Sequence, residues 1–429
     1  MPNASHPREE PSTMVNVTTD TRGAIFIDPA AFVDMDAWHT TAASIREDTP
    51  ALRVEAQGFT PFWAVTRHEN VFEISRRSDV MHNTRQSVLG PEVNFQFLDS
   101  IGVEPKTLIH MDGTEHRDHR NVANDWFKPA AVKKRQEAID AIADQYVARL
   151  ADLGGSCDFA QDIAVPYTLR VIMSIYGVPA SDEQLMLKLT QGIFGAGDPE
   201  FLGDATDPLE LLTGTIAQFE EYFDAITEDR QAHPTDDLAT VIANGQIEGC
   251  PMDDHARLWY YIIVATAGHD TTSYALSGGM EALLRAPDQI DALRADPALV
   301  VNAAEEMIRW TTPVRHFLRY AQEDFDVSGV TIPAGDRVLL SYPAANRDPR
   351  TFDDPTTFDI RRPDADKLIS FGLGAHYCLG SQFARRELRT ILPRLLDRVR
   401  TIELDGDPEW AAAGFVGGVK RLPIRYTMA

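Results

Sequence analysis

The chain is poor in cysteine and in basic side chains. Only 3 of its 429 residues are cysteine, and lysine plus arginine total 40 against 65 aspartates and glutamates. So few cysteines, in an odd number, argue against a disulfide framework and for a reducing compartment. The net charge of −25 argues against nucleic acid as a partner, because binding phosphates needs a basic surface.

Long apolar runs are also missing. No stretch reaches the roughly 18 to 20 apolar residues that a membrane-spanning helix needs. The N-terminal residues form no apolar run that would make a signal peptide or an anchor. No Gly-x-Gly-x-x-Gly motif follows a predicted strand, so the chain is not expected to bind a nicotinamide or a flavin of its own. We expect a cytoplasmic protein that makes no contact with a membrane.

Hydrophobic residues make up 44% of the chain, which is ample for a large core. Dividing the length by a usual domain size suggests about two or three domains. Residues 1–22 are polar and rich in proline, and they are predicted to form a mobile N-terminal tail.

Hydrophobic periodicity predicts a mainly helical protein with short strands. Helices are predicted over residues 34–47, 68–77, 114–127, 130–153, 166–176, 182–194, 208–232, 253–285 and 379–398. Strands are predicted over residues 52–56, 62–67, 315–321, 325–327 and 337–341, with a closing hairpin over 414–427 that turns at Gly417-Gly418.

Two segments of this pattern stand out. Residues 78–110 show little periodicity but many apolar side chains, which favours a functional loop over disorder. The helix over 253–285 is the longest, and interruptions are expected at Gly268 and at Gly278-Gly279. Its apolar middle predicts burial through the core.

The most informative motif surrounds Cys378. The helix predicted to follow this cysteine places its sulfur at a helix N-terminus, where free N–H groups and the helix dipole favour a thiolate. Gly374 and Gly380 remove side chains where the backbone runs close to a flat group, and Phe371 covers the sulfur. A buried structural cysteine or a free thiol are the alternatives. The fixed offsets of its neighbours favour a metal ligand.

This pattern, Phe-x-x-Gly-x-x-x-Cys-x-Gly from Phe371 to Gly380, resembles the signature of the cytochrome P450 family of haem-thiolate monooxygenases. The resemblance covers about residues 32–426. Residues 267–272 (Ala-Gly-His-Asp-Thr-Thr) and 340–347 are most similar to the bacterial branch that includes the terpineol-oxidising enzyme. It implies a mainly α (α+β) fold in one triangular domain over residues 23–429. A helical lobe and a small β-rich lobe would hold haem b between the long helix and the Cys378 helix.

The resemblance also assigns roles along the long helix. Ala267 and Gly268 would leave room for dioxygen beside the helix. The Thr271 hydroxyl would bond the carbonyl of Ala267 and loosen the helical ladder there, while Asp270 relays protons. His269 is interpreted as a hydrogen-bonded or solvated side chain, because no second ligand stands at the spacing of a zinc site.

Further haem contacts follow from the same resemblance, with Cys378 as the iron ligand. The residues expected to pair with the haem propionates are His116, Arg120, Arg319 and His376, with His119 and Arg315 as less certain alternatives. Phe371, Gly372, Gly374 and Gly380 are expected to pack against the haem.

A structural ion pair is expected at Glu306 and Arg309. Spaced three residues apart on an exposed helix, such a pair contributes only a few tenths of a kcal/mol. The resemblance implies instead a buried bidentate pair, joined by Arg362 or, as a rival, by Arg361. This group would fix the segment that presents Cys378, and burial requires each of its charges to be paired.

The expected reaction inserts one atom of dioxygen into a C–H bond of a terpenoid or an alkyl-aromatic hydrocarbon. Electrons would come from a 2Fe-2S ferredoxin with its NAD(P)H-dependent reductase. A steroid or a fatty acid remains an alternative substrate, the latter if Arg85 points inward. A haem peroxygenase or a non-catalytic haem protein is less compatible with Thr271. The pocket is expected to be lined by Phe95, Phe97, Ile193, Phe194, Val264 and Phe317.

The ferredoxin is expected to dock on a basic patch beside the cysteine, because the ferredoxins of this family are acidic. The patch is predicted to contain Lys128, Lys133, Lys134, Arg135, Arg385, Arg386 and Arg389. Scattered solvated charges are the alternative interpretation of these residues.

Overall fold

A computed structural model describes residues 17–83, 86–194 and 208–429 of the chain, without the side chains of residues 194, 208 and 209. The predictions of Arg85 as a carboxylate anchor and of the Phe194 side chain as a pocket residue therefore lie outside the described part of the chain. So does the joint at residues 195–204, which the family resemblance implies is a lid over the pocket.

Helices form most of the described chain. Their bounds are α1 Met35–Asp48, α2 His68–Arg76, α3 Glu92–Ser100, α4 Gly113–Asn124, α5 Pro129–Lys134, α6 Gln136–Asp152, α7 Val165–Tyr176, α8 Glu183–Phe194, α9 Pro208–Ala232, α10 Leu238–Ala243, α11 Asp254–Arg285, α12 Pro287–Ala295, α13 Val300–Thr311, α14 Tyr342–Ala345 and α15 Ser381–Arg398. Among the residues described, every helix is too short or too polar to cross a lipid bilayer.

The strands are short and form several small sheets. They are β1 Ala51–Ala56, β2 Phe59–Val65, β3 Met81–His82, β4 Ser156–Asp158, β5 Gln246–Ile247, β6 Cys250–Pro251, β7 His316–Ala321, β8 Phe325–Val327, β9 Val330–Ile332, β10 Arg337–Ser341, β11 Val399–Leu404, β12 Glu409–Trp410, β13 Val419–Arg421 and β14 Pro423–Met428. The largest sheet has the order β1-β2-β10-β7-β3, and a three-stranded sheet has the order β11-β14-β4. The mainly α fold with a small β-rich part is thus the one predicted.

Residues 17–22, which belong to the segment predicted as a mobile tail, make regular contacts with the rest of the chain. Val17 forms a β-bridge with Ala56, and the Thr18 N–H donates to the Glu55 carbonyl at 2.9 Å. Asp20 then caps a short 3-10 helix over Thr21–Phe26. These contacts use the backbone of strand β1, which the polarity of the side chains does not reveal.

The stretch predicted as an irregular loop contains a helix. In α3 no side chain is buried, and Val93 is 63% exposed. Because its apolar residues do not face a core, they do not repeat with the period by which buried helices are recognised. Phe95 instead packs near Gly90, where an added Cβ would lie 3.3 Å from its ring.

The predicted closing hairpin over residues 414–427 is wrong. Strand β13 pairs with the upstream strand β12, whereas β14 pairs with β11 and β4. Gly417 and Gly418 therefore lie in the loop between β12 and β13. The strands that pair with β13 and β14 all come from residues before position 414, which a local hairpin pattern cannot identify.

Helix α11 runs through the core without a break. The Asp253 side chain accepts a hydrogen bond from the Ala256 N–H at 2.8 Å and caps the helix. Interruptions were predicted at Gly278 and Gly279, but the helix is continuous there. The two glycines are instead contact points for α13. A Cβ on Gly279 would lie 2.8 Å from the Met307 Cβ, closer than real atoms approach. The two glycines allow these helices to pack closely.

We predict that Gly279→Ala lowers the free energy of unfolding by about 1–3 kcal/mol, since a methyl group must push α13 away. The matched control is Gly214→Ala in α9, where an added Cβ meets nothing within 4 Å. That variant should be more stable by up to about 1 kcal/mol, because alanine is the better helix former. Denaturant unfolding of both variants measures the difference. Equal shifts in the same direction would contradict the packing role of Gly279.

Candidate active site

One cavity brings most of the predicted site residues together. It lies between the middle of α11, the segment before α15, strand β7 and the β12–β13 loop. Its walls include the predicted residues His116, Arg120, Val264, Ala267, Gly268, Thr271, Phe317, Arg319, Phe371, Gly372, His376, Cys378 and Gly380. Asp270, Gly374, Phe95, Phe97 and Ile193 are not on these walls.

Cys378 lies at the bottom of this cavity, just before α15. Its N–H donates to the Phe371 carbonyl at 2.8 Å, which closes the loop between them. Burial raises the pKa of the Cys378 thiol, and the N–H groups of Gly380 and Ser381 and the charges of Arg120 and Arg385 oppose that rise. The donors are thus in place for an anionic sulfur. A bound cation would complete the stabilisation, because a coordinated thiol loses its proton.

Phe371 and the glycines of the loop have different tasks. The Arg385 guanidinium lies over the Phe371 ring, 4.4 Å from its centroid. Gly372 lines the cavity with a φ of +66°. Gly374 was predicted to pack against the haem, but it does not border the cavity. A Cβ there would lie 2.6 Å from the Ser75 carbonyl oxygen. Gly374 lets the loop pack on the end of α2, whereas Gly380 borders open space in the cavity wall.

Two arginines, Arg120 and Arg319, also border the cavity. Arg319 is 3% exposed and donates to the Leu318 carbonyl at 2.8 Å. Arg120 donates to the Tyr377 carbonyl at 2.7 Å. Burial lowers the pKa of both guanidinium groups. In the described part of the chain, no carboxylate lies within ion-pair distance of the Arg120 or Arg319 guanidinium group. Both groups could therefore pair with an anionic group in the cavity.

Two histidines lie beside these arginines. The rings of His116 and His376 are 4.1 Å apart. The buried Nε2 of His116 has no hydrogen-bond partner among the described residues, and burial lowers the pKa of His116 to about 4. His376 Nε2 lies 3.6 Å from Asp112 Oδ1. Two guanidinium groups and the unpaired Nε2 of His116 fit a cofactor that carries carboxylates at its edge.

The two alternative propionate residues lie elsewhere. His119 contacts the Glu115 carbonyl through Nδ1 at 2.9 Å. Arg315 is buried against the Phe32 ring, 4.8 Å from its centroid. Neither residue borders the cavity.

The α11 wall agrees in part with the roles expected of it. The Thr271 hydroxyl donates to the Ala267 carbonyl at 2.8 Å, as predicted. Gly268 also borders α7, where an added Cβ would lie 2.9 Å from Ile172 Cδ1. The missing side chain is therefore needed for helix packing. Asp270 lies behind the wall, with its Oδ1 2.9 Å from His269 Nδ1.

The expected ion pair is fully buried. Arg309 binds Glu306 through two bonds of 2.7 Å, and neither side chain is exposed. Arg362 Nε lies 3.2 Å from Glu306 Oε2, whereas Arg361 is exposed. Arg362 is thus the third member.

The triad connects to the cysteine through Asn346. Arg309 donates to the Asn346 carbonyl at 2.8 Å. The Asn346 side chain accepts from the Ile369 N–H at 2.9 Å and donates to the Ser370 hydroxyl at 2.8 Å. Because Phe371 follows directly, the triad fixes the backbone that anchors Cys378.

The substrate end of the cavity differs from the prediction. Val264 and Phe317 line it, but Phe95 and Phe97 belong to the outlying helix α3, and Ile193 packs against the helical core. Sequence reasoning missed Phe415 and Val416, which enter from the β12–β13 loop. Their position beside Gly417-Gly418 was the available signal, but it was assigned to a hairpin.

The comparison with protein families decides the identity. A family model for "Cytochrome P450" matches residues 77–413. The chain is a cytochrome P450.

Relatives of this cytochrome P450 match over nearly their whole length. It is 38% identical to "Cytochrome P450-terp" of Pseudomonas over 94% of this chain and 96% of that one. It is 30% identical to a "Steroid C26-monooxygenase" of Mycolicibacterium smegmatis over 90% of both chains. The crystal structure of CYP108D1 from Novosphingobium aromaticivorans superposes with a TM-score of 0.89 at 38% identity, covering 95% of this chain and 98% of that one.

The cofactor of this cytochrome P450 is haem b, and the residues present fit it. Within the described residues, no three His, Cys, Asp or Glu side chains cluster as a multi-ligand metal site would require. A single thiolate from Cys378 suits an iron whose other ligands come from the macrocycle. Arg120, Arg319, His116 and His376, which border the same cavity, fit its propionates.

We predict that Arg362→Ala destabilises the protein by about 3–5 kcal/mol, because it leaves part of a buried charge network unpaired. Its neighbour Arg361 is exposed and serves as the matched control. Arg361→Ala should change stability by less than about 0.5 kcal/mol. Denaturant unfolding and haem content measure both variants. A normal haem content and stability in Arg362→Ala would remove the triad from its structural role.

Proposed function

We propose that this cytochrome P450 hydroxylates a C–H bond of a small terpenoid or alkyl-aromatic hydrocarbon. The observation that carries the proposal is the Cys378 sulfur facing a mainly apolar cavity that also holds the Thr271 hydroxyl. When bound, haem b supplies dioxygen activation, and its thiolate ligand favours O–O cleavage. The chain itself holds the cofactor, orders the substrate and manages protons.

Several residues of the cavity wall would bind the cofactor. Cys378 would supply the sulfur ligand, with the N–H groups of Gly380 and Ser381 directed at it. Arg120 and Arg319 would supply charge for the propionates, with His116 and His376 beside them. A sulfur ligand and separate cationic partners would together fix the orientation of a flat, amphipathic group.

Proton management falls to α11. Thr271 borders the cavity, and its hydroxyl is already engaged with the Ala267 carbonyl. That bond leaves the hydroxyl oxygen free to accept a hydrogen bond from inside the cavity. Asp270 is the nearest acid along the helix and keeps 14% exposure, so it can exchange protons with solvent.

The substrate class follows from the chemistry of the walls. Ile263, Val264, Phe317 and Phe415 border the cavity, and the rings of Phe317 and Phe415 are 5.4 Å apart. The cations among the described wall residues are those assigned to the haem, so a fatty-acid carboxylate has no anchor there. The 38% identity to Cytochrome P450-terp, against 30% to a steroid monooxygenase, favours a terpenoid over a steroid.

The electron donor we propose is a 2Fe-2S ferredoxin with its NAD(P)H-dependent reductase. The basic patch predicted for it is partly neutralised. Within the described residues, ion pairs engage Lys128 with Asp125, Arg135 with Asp236, and both Arg385 and Arg389 with Glu305. Lys133 and Lys134 are exposed on α5, and Arg386 is half-buried on α15. Without ion pairs in the described chain, these three remain to attract an acidic ferredoxin.

We predict that Thr271→Ala leaves the substrate-induced haem spectral shift intact but lowers product formed per NAD(P)H by at least about tenfold, with hydrogen peroxide released instead. The physical reason is the loss of the hydroxyl that passes protons into the cavity. Thr168→Ala is the control, because this buried threonine makes the same bond to a carbonyl four residues before it, away from the cavity. Its coupling should equal that of the parent, and unchanged coupling in Thr271→Ala would refute the assignment.

The substrate class is tested by titration of p-cymene, α-terpineol and a C27 steroid against the haem Soret band. We expect the small ligands to shift the haem towards high spin at micromolar concentrations. Phe317→Ala should weaken that binding by about tenfold, because alanine leaves part of the bound hydrocarbon uncovered by the ring. A steroid that shifts the haem while both small ligands stay silent would overturn the substrate class but leave the monooxygenase chemistry standing.

A further inference from the structure

His269 is a buried histidine beside the proposed acid. Its side chain has no exposed surface, and neither ring nitrogen has an aligned hydrogen-bond partner among the described residues. Nδ1 nevertheless lies 2.9 Å from Oδ1 of Asp270. A buried imidazole that leaves both nitrogens unpaired is destabilising, so the adjacent carboxylate is the natural acceptor for one of them.

The position of the two side chains on α11 gives this contact its meaning. The cavity-lining residues of the helix are Ile263, Val264, Thr266, Ala267, Gly268, Thr271, Thr272 and Ala275. At about 100° per residue, position 269 points away from this face, whereas position 270 lies between Ile263 and Thr266 at its edge. The Asp270 carboxylate nevertheless does not border the cavity, because it is turned towards His269.

Rotation about the side-chain bonds of Asp270 would move its carboxylate from His269 towards the cavity. Its side chain keeps 14% exposure, whereas His269 has none. One partner of the pair can thus exchange protons with solvent, and the other is a fixed buried donor. An N–H held at 2.9 Å favours the carboxylate position nearest to it.

We infer that His269 is a positioning residue for Asp270. Its Nδ1–H holds the carboxylate turned away from the cavity and returns it there after each proton transfer. The acid form of Asp270 releases its proton towards Thr271, and the resulting carboxylate is recaptured by His269 and reprotonated from solvent. This inference rests on the proposed proton role of Asp270 and Thr271.

The experiment compares five variants of the haem-loaded protein with the parent. His269→Phe removes the donor at similar volume, and His269→Asn keeps an N–H near the position of Nδ1. Asp270→Asn and the double variant His269→Phe/Asp270→Asn complete the cycle. Ser273→Ala is the control, because its buried hydroxyl bonds the Asp270 backbone carbonyl at 2.9 Å without touching the carboxylate. Each variant is first checked for haem content and for its thiolate carbon monoxide band.

Two readouts are taken. Product per NAD(P)H should fall about fivefold or more in His269→Phe, recover to within about twofold in His269→Asn, and stay at the parental value in Ser273→Ala. The double variant should be no less coupled than Asp270→Asn alone. Independently of turnover, thermal unfolding midpoints should be non-additive across the cycle, since the two side chains contact each other.

The outcomes separate the inference from the proposed function. If Asp270→Asn lowers coupling but His269→Phe does not, the inference fails and the proton role of Asp270 survives. If Asp270→Asn has no effect, both fail. Losses that multiply in the double variant, or midpoints that add, would show that His269 acts only through packing and would overturn the inference. If His269→Phe does not incorporate haem, His269→Asn decides the question, because coupling as low as in Asp270→Asn would overturn it.

Discussion

The site depends on the Cys378 sulfur, which borders the cavity and must be anionic to bind a metal. Burial favours the neutral thiol of Cys378, and the protein opposes this with two backbone N–H groups and two guanidinium groups. None of these donors is on a mobile surface side chain: the N–H groups belong to the start of α15, and Arg385 is held between Glu305 and the Phe371 ring. The sulfur is therefore preorganised for a cation before one binds.

The need to hold the Cys378 segment in place also accounts for a buried group of charged side chains. The triad of Glu306, Arg309 and Arg362 contributes little net stability compared with apolar packing, since desolvation offsets much of its attraction. Its role is to fix the position of the neighbouring backbone. Arg309 and Arg362 donate to backbone carbonyls of the loop over residues 346–357, which has no strand partners to hold it. Asn346 in turn accepts a hydrogen bond from the Ile369 N–H and so fixes the backbone beside Phe371.

Elements of the fold that depend on local interactions could be predicted from the sequence, whereas those that depend on contacts distant in the chain could not. Helices with an apolar stripe facing the core were predicted within a few residues, because their pattern is local. Helix α3 was missed because it buries no side chain. The C-terminal strands were paired wrongly because β14 joins β11 and β4, and the β4 residues stand far back in the chain, where Cys157 pairs with Ile424. Pairing at that distance leaves no local signature beyond the strand pattern itself.

The site divides in a similar way. Residues that the family resemblance assigns to the site, such as Cys378, Arg120 and Thr271, all border the cavity. Residues that shape the substrate space are set by tertiary packing. Phe415 enters the cavity only because the β12–β13 loop folds back, where Val416 forms a bridge with Val314. No spacing rule links this loop to α11, so the sequence identified the chemistry more fully than the pocket.

Glycine in α11 shows how one helix meets several demands at once. Gly279 and Gly268 let α13 and α7 approach so closely that a methyl group would collide with Met307 or Ile172. Close packing on those sides fixes the helix axis. With the axis fixed, the bond from Thr271 to Ala267 and the contact between Asp270 and His269 occur at defined places on one turn. Glycine costs a helix about 1 kcal/mol per residue relative to alanine, and here it permits the close packing that fixes the residues we propose for proton transfer. An alanine-rich α11 would be the better helix in isolation and the poorer wall for this cavity.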